Sequence, residues 1–495
     1  MRLLAAPVAL LVALIVRAEL PPVPVPAENP ITEEKRVLGK ILFWDEQLSS
    51  DNMVACGTCH RPAWGGADAR NAVNPRADPG TIDDVHGSPG IVQLDTNGQP
   101  TEHAVFGRGP QVTTRSSPSF FGALWAPAVF WDGRAGGEFR DPVTGSIAIE
   151  ARGALESQIV ATLANPAEMA KPGRRWDELT RALERARPLA LATNLPADVA
   201  AAITKYVSYR ALFAAAFGDA EITPVRIAFA IATYERTLVA DQTPWDRYAA
   251  GDASALSQGA LFGLQALRDF HCVKCHTPPL FTNNEFFNIG LRRSELDRGR
   301  EAVTGDPEDA GEMRVPSLRN SGLRARFMHT GEFAGLGAVI SFYRTGLPLP
   351  DRDGIPGAGI YTFNMSPITE ADIQAFLTMG LTDPRVRAEE FPFDRPTLRT
   401  ERNPSDSTPP VQPARLEAIR AARGTALRWT AAQDDTGVVD YIVERDGVVI
   451  ALTTATEFAD PRSASAPVTY AVTARDSAGN RSSPRAAVLR FDEPR

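Results

Sequence analysis

Cys56-Gly57-Thr58-Cys59-His60 and Cys272-Val273-Lys274-Cys275-His276 are two copies of one pattern, Cys-x-x-Cys-His. That pattern attaches a c-type haem. Two thiols add across the porphyrin vinyl groups, and the adjoining imidazole reaches the iron as proximal ligand. The chain has four cysteines, and the two copies use all of them. A redox Cys-x-x-Cys, or one zinc site shared by four cysteines, would leave both histidines unexplained. The sequence therefore predicts two covalently bound haem c groups on Cys56, Cys59, Cys272 and Cys275, with His60 and His276 as iron ligands.

At 495 residues the chain exceeds one ordinary core, so several domains are expected. Residues 1–18 stand apart. A basic start at Arg2 leads into an apolar run from Leu3 to Val16, too short to span a bilayer, and then Val16-Arg17-Ala18. This reads as a secretory signal peptide cleaved near Ala18, with an uncleaved anchor as the alternative. Nothing else in the sequence is long and apolar enough to span a membrane, so none is expected after cleavage. Export, to the periplasm or beyond, agrees with haem attachment outside the cytoplasm. The whole chain carries a net charge of −8; without Arg2 and Arg17, 50 basic residues face 60 acidic ones, a net of −10. Nucleic acid is repelled by such a surface, and a basic or neutral redox partner is attracted.

Around the motifs the chain reads as mainly α. Thr32 caps a helix that carries Glu33 and Glu34 in its first turn and aligns Val37, Leu38, Ile41 and Leu42 on one face. Residues 65–115 are rich in Gly, Pro, Asp and Asn and read as a long loop. Pro196-Ala197-Asp198 and Thr223-Pro224 open two further helices, and another runs from about Ser257 to Asp269 into the second motif. Residues 277–365 read as loops with short helices, and Thr369 to Leu381 as an amphipathic helix. Beyond a Pro- and Ser-rich linker at 399–413 the hydrophobic period becomes two, as in Thr425–Trp429, Val438–Glu444 and Val468–Thr473, with turns at Asp446-Gly447 and Gly479-Asn480. This predicts a small all-β, immunoglobulin-like sandwich with Trp429, Tyr441 and Tyr470 in its core. The tract from Tyr470 to Asn480 resembles the penultimate strand and following turn of a fibronectin type III module. The expected division is 1–18 signal peptide, 19–225 first haem domain, 226–398 second haem domain, 399–413 linker, and 414–495 β-domain.

Further motifs follow in order between about residues 30 and 395. They are Leu42-Phe43-Trp44-Asp45, Ser117-Pro118-Ser119, Phe130-Trp131-Asp132-Gly133-Arg134, Asn165-Pro166-Ala167-Glu168-Met169, Val315-Pro316-Ser317-Leu318-Arg319-Asn320 and Phe327-Met328-His329-Thr330-Gly331. In this the chain resembles the bacterial di-haem cytochrome c peroxidases, including the MauG-type enzymes. The resemblance implies two cytochrome c-like haem domains. It implies a peroxidatic haem on His60 and an electron-transfer haem on His276, with Trp131 between them. Glu168 matches the distal acid of the peroxidatic pocket, and Gln158 its neighbouring amide. A carboxylate there can move a proton from the inner to the outer peroxide oxygen.

The sixth ligands separate subtypes. At the second haem the peroxidases carry a Met fourteen residues after the His of the Phe-x-His-x-Gly tract, and here that position is Tyr343, as in MauG-type enzymes. The alternative ligands are Met328, Met313 and Met365. At the first haem the expectation is an open site, with His86 and His103 as loop candidates for a cap. The family also implies one calcium ion between the domains. Its Asn ligand is replaced by Ser116, and Arg324 and Arg326 stand where carbonyls contribute.

Three functions remain open on the sequence. The first is a hydrogen peroxide reductase fed by a small redox protein. A MauG-type enzyme, which uses peroxide to oxidise residues of a partner protein, is the second. The third is a di-haem electron carrier without catalysis, against which Glu168 at an open site argues.

Overall fold

The computed structural model describes residues 19–345, 365–401 and 409–489, apart from 71, 77–78, 422–423, 435–437, 454, 463–465 and 477–480. The expected signal peptide, the centre of the linker and the Gly479-Asn480 turn lie outside the described residues. A helical region carrying both haem motifs precedes a β-rich region, each with its own hydrophobic core.

The first core is built on the helix Glu33–Phe43, capped by Thr32 Oγ1 accepting from Lys35 N. Its apolar face meets the helix Pro224–Glu235. The two approach so closely that a Cβ on Gly39 would lie 1.9 Å from the Ala230 carbonyl oxygen. Lys40 is fully buried beneath this crossing and pairs with Asp198 (3.1 Å) and Asp394 (2.7 Å). The expected domain boundary at 225/226 falls inside the Pro224–Glu235 helix, which packs wholly within the first core. That core continues to Ala240, and the second begins at Trp245. Val386, Phe393 and Leu398 return from the end of the second half to the first core.

The second core repeats the device. The helix Gln258–Asp269, capped by Ser257, crosses the helix Pro367–Ala375, and a Cβ on Gly263 would lie 2.0 Å from the Asp372 carbonyl oxygen. The expected helix from Thr369 to Leu381 is two pieces, α-helical to Ala375 and then a π turn over Phe376–Gly380.

Residues 65–115 are more ordered than their composition suggests. Ala72–Asn74 pairs with Val85–Gly87, and Pro89–Val92 with Pro110–Val112. These strands lack alternating apolar residues because both hairpins are pinned from outside, by contacts with the Glu168 loop and the second half.

Among the described residues of the β-rich region seven strands form two antiparallel sheets: β1 (Leu416–Arg420), β2 (Thr425–Trp429), β3 (Val438–Arg445), β4 (Val448–Thr453), β5 (Glu457–Asp460), β6 (Val468–Asp476) and β7 (Arg485–Leu489). The orders are β5-β2-β1 and β4-β3-β6-β7. Trp429, Tyr441 and Tyr470 are all buried between them, and the rings of Trp429 and Tyr441 meet edge-on at 5.5 Å. Arg462 joins this region to the helical one through Asp372 at 3.4 Å. Among the described residues no helix is long and apolar enough to cross a membrane.

Candidate functional site

Each Cys-x-x-Cys-His motif opens onto its own cavity. The first has a volume of about 570 Å³ and is lined by Cys56, Cys59, His60, Gln158 and Glu168 among others. The second, of about 230 Å³, is lined by Cys272, Cys275, His276, His329 and Tyr343. Trp131, Asp297 and Arg314 line both, so they form the wall the cavities share.

The motifs are held so that each histidine can bind iron. His60 Nδ1 lies 3.0 Å from the Gly66 carbonyl oxygen. His276 Nδ1 lies 3.2 Å from that of Phe281 and 3.1 Å from that of Pro316. An Nδ1–H donated to a carbonyl leaves the Nε2 lone pair for a metal. Burial lowers the pKa of both imidazoles, which keeps them neutral, the ligating form. Two thiols beside each such histidine complete the donor set that a c-type haem requires. The residues fit two haems. Leu42-Phe43-Trp44-Asp45 is the seat of the first motif: a Cβ on Gly57 would lie 2.1 Å from the Trp44 ring, so only glycine packs there. Trp44 is itself held by its indole N–H donating to the Tyr234 hydroxyl at 3.3 Å.

Glu168 sits on the first cavity in a pinned loop. Asn165 Nδ2 donates to its Oε1 at 2.6 Å, and Ile91 N donates to its backbone oxygen at 3.2 Å. Gly90 permits the close approach, since a Cβ there would lie 2.0 Å from the Ala167 carbonyl oxygen. Burial raises the Glu168 pKa, while hydrogen bonding from Thr162, the charge of Arg134 and the Asn165 bond oppose the rise. Gln158, on the helix Ala154–Leu163, lines the same cavity and donates to Thr162 Oγ1 at 2.9 Å. His86 and His103 are not among the residues lining either cavity. His86 lies in the first hairpin, and the His103 ring stacks on Phe106 at 4.9 Å.

Trp131 Nε1 donates to the Ser116 carbonyl oxygen at 2.8 Å, and its ring meets that of His329 edge-on at 6.3 Å. Arg115 locks this wall across the two halves, donating to Asp132 (2.6 Å) on one side and to Asp297 (2.6 and 2.8 Å) on the other. In the second cavity Tyr343, Met313, Met328 and Met365 are all present. Burial raises the pKa of the Tyr343 phenol, with Cys272 and Cys275 adding to the rise.

Several of these residues were not singled out in the sequence: Arg115, Asp297 and Arg314. An internal repeat could have drawn attention to the wall. Pro118, Ser119 and Gly133 recur at one constant offset as Pro316, Ser317 and Gly331, and at the same offset Gly122, Phe130 and Trp131 correspond to Asn320, Met328 and His329. Gly122 and Asn320 are both left-handed and each caps a short 3-10 turn; Phe130 and Met328 are both left-handed. Ser119 and Ser317 each donate, at 2.6 Å, to a carbonyl just beyond the preceding haem motif, on Gly65 and Leu280. Trp131 and His329 are thus counterparts that meet face to edge at the junction.

The expected calcium ion does not suit this junction. Arg324 donates there to the carbonyls of Arg326 (3.1 Å) and Ser117 (3.2 Å), and burial lowers its pKa to about 10. A guanidinium on these oxygens both occupies them and repels a divalent cation. Among the described residues no group of three or more His, Cys, Asp or Glu could hold a metal ion.

Residues 33–254 match the family described as Di-haem cytochrome c peroxidase. The matched stretch carries the first Cys-x-x-Cys-His motif, Trp131 and Glu168. Methylamine utilization protein MauG of Methylophilus methylotrophus is 28% identical over 358 residues, 72% of this chain and 84% of the relative. Cytochrome c551 peroxidase of Pseudomonas aeruginosa is 27% identical over 389 residues, covering 76% of this chain and 87% of the relative. Among solved structures, a MauG-like protein associated with microbial copper homeostasis superposes with a TM-score of 0.52 at 24% identity, covering 76% of this chain and 96% of that one. That likeness extends the shared fold across both haem halves. The relatives named cytochrome c peroxidase support an oxidoreductase of the peroxidase type.

Proposed function

We propose that this chain is a di-haem c-type peroxidase that reduces hydrogen peroxide at the haem of the first half. Electrons from a small redox protein would enter through the haem of the second half. The observation that carries the reading is an asymmetry across one shared wall: both cavities have a presented histidine, and only the first has the Glu168 carboxyl. Bound haem supplies the redox-active iron. The balance is hydrogen peroxide plus two electrons and two protons giving two water molecules. Glu168 accepts a proton from the inner peroxide oxygen and returns it to the outer one, which then leaves as water. Asn165 fixes Oε1, and Gln158 supplies an amide beside it. Trp131, edged by His329 and anchored on Ser116, provides an oxidisable ring between the halves.

Tyr343 supports a second reading, in which peroxide oxidises residues of a partner protein as in a MauG-type enzyme. A burial-neutral phenol loses its proton where a metal takes the proton's place, and an anionic oxygen favours oxidised iron. The apolar pattern of residues 1–18 and the c-type haems support an exported protein. The two-sheet β-region, with strand orders β5-β2-β1 and β4-β3-β6-β7, supports a fibronectin type III-like sandwich. Likewise, the glycine-mediated helix crossing behind each motif supports two cytochrome c-like domains.

The test is to mix the diferric protein with peroxide, with and without a reduced small cytochrome. Fast cytochrome oxidation supports the peroxidase. A long-lived oxidised state of both haems with poor cytochrome turnover supports the partner-oxidising enzyme. No reaction in any redox state removes both and leaves an electron carrier.

A further inference from the structure

The helix Pro224–Glu235 ends on a carboxyl for which the peroxide chemistry has no role. Its neighbours are accounted for. Tyr234 is fully buried, with its hydroxyl against Trp44 Nε1, and the buried Arg236 is paired with Glu156 at 2.6 Å. Glu235 lines the first cavity together with Cys56, Cys59, His60 and Glu168. Its Oε2 is buried and has no hydrogen-bond partner. Its charge is felt at Cys56, where it raises the thiol pKa second only to burial.

The surrounding charges do not compensate it. Arg236 lies next to it, but both guanidinium arms reach Glu156 on the helix Ala154–Leu163. On the helix Glu33–Phe43, Arg36 is engaged by Glu33 and Asp198, and Lys40 by Asp198 and Asp394. Across the cavity stand Glu168 and Arg134. A buried carboxylate oxygen without a partner is costly, so the neutral acid is favoured. Burial pushes the Glu235 pKa up to about 8, with Arg236 opposing and Glu156 assisting. Neutral pH therefore lies just below the point at which this group changes charge.

We propose that Glu235 couples proton uptake to electron uptake in the first half: its Oε2 holds a proton while the haem on Cys56 and Cys59 carries an added electron, and yields that proton to solvent when the electron leaves. The exchange balances. Above about pH 8, where the acid is ionised before the electron arrives, one electron from a one-electron donor brings one proton from solvent to Glu235, and the cavity's net charge is unchanged. In a low-dielectric wall an uncompensated charge is expensive, so the two events favour each other. Glu235 acts through the haem as a positioning group for charge and makes no contact with peroxide. The proposal rests on haem attachment at the first motif and is independent of what that haem reduces.

The test is a spectroelectrochemical titration of both haems in the holoprotein, from about pH 6 to about pH 10, beside Glu235→Gln. In the native protein the first haem should lose up to tenfold in electron affinity per pH unit across the Glu235 titration, equivalent to 59 mV for one electron. Glu235→Gln, neutral and of the same shape, should be flat in that window and easier to reduce at its alkaline end. The second haem should be unchanged in both proteins. A protonated-carboxyl band in the redox-difference infrared spectrum of the native protein should be absent from the variant. If Glu235→Gln loads haem poorly, Glu235→Asp serves, and should keep the slope at a displaced pH. A slope retained in Glu235→Gln, or a native spectrum without the carboxyl band, overturns the proposal. Loss of the slope in a chain that reduces no peroxide would sink the peroxidase reading alone.

Discussion

The two halves that carry Cys-x-x-Cys-His motifs use the same parts and differ in what lines their cavities. In each, a helix crosses a later helix at a glycine, Gly39 on Ala230 and Gly263 on Asp372. Each then presents a histidine through Nδ1 contacts with backbone carbonyls. Each also carries the Pro-Ser segment with its left-handed turn. The cavity linings differ. The first half has Glu168, Gln158 and Glu235; the second has Tyr343 and three methionines in a smaller space.

The strongest way to break this comparison is Glu168→Gln. Peroxide turnover should fall roughly 10²- to 10⁴-fold, the usual size of a lost proton shuttle, while both haems still load. Steady-state assay with a reduced cytochrome checks it, and unchanged turnover would erase the asymmetry. Next come the crossings. Gly39→Val and Gly263→Val should each cost about 1–3 kcal/mol or more, because the added carbons meet backbone that cannot yield. Thermal unfolding followed at the haem absorbance should show each variant weakening its own half first.

At the junction, Trp131→Phe leaves the Ser116 carbonyl unpaired at a cost of about 1–3 kcal/mol. Stopped-flow should show slower electron passage between haems that are otherwise intact. A smaller effect concerns acid. Burial would raise the Asp297 pKa, but the hydrogen bonds and charge of Arg115 overrule it and hold it at about 2, below the ordinary 3.8. A depressed folded pKa gives stability that is present above the unfolded value and lost as pH falls towards 2. Asp297→Asn should therefore flatten the acid limb of the stability profile between about pH 4 and about pH 2, read by denaturant unfolding. Smallest of all, a calcium chelator should leave spectra, stability and interhaem transfer unchanged, because Arg324 already holds the carbonyls of Ser117 and Arg326. A stoichiometric metal in the purified protein would contradict that.

Much of the scaffold is legible because its signals are local. The Thr32 cap, the Pro224 start and the Ser257 cap each lie within one turn of the helix they begin. The alternation in β2, β3 and β6 reports a sheet with one face buried. Residues 65–115 were not legible: their hairpins are set by partners as distant as Glu168 and Thr330, which no local pattern encodes. For the same reason composition reveals neither the Arg324 guanidinium at the junction nor the unpaired Glu235.

The sequence alone determined where two haems are expected, because thioether formation and axial ligation need three side chains within five residues. It also singled out Glu168, Trp131 and Tyr343 as candidates. Which cavity each one lines, and that Trp131, Asp297 and Arg314 form one shared wall, was decided only by the tertiary structure. Those residues come from segments far apart in the chain, and their environment, their burial and their charge partners arise only when the two halves pack together.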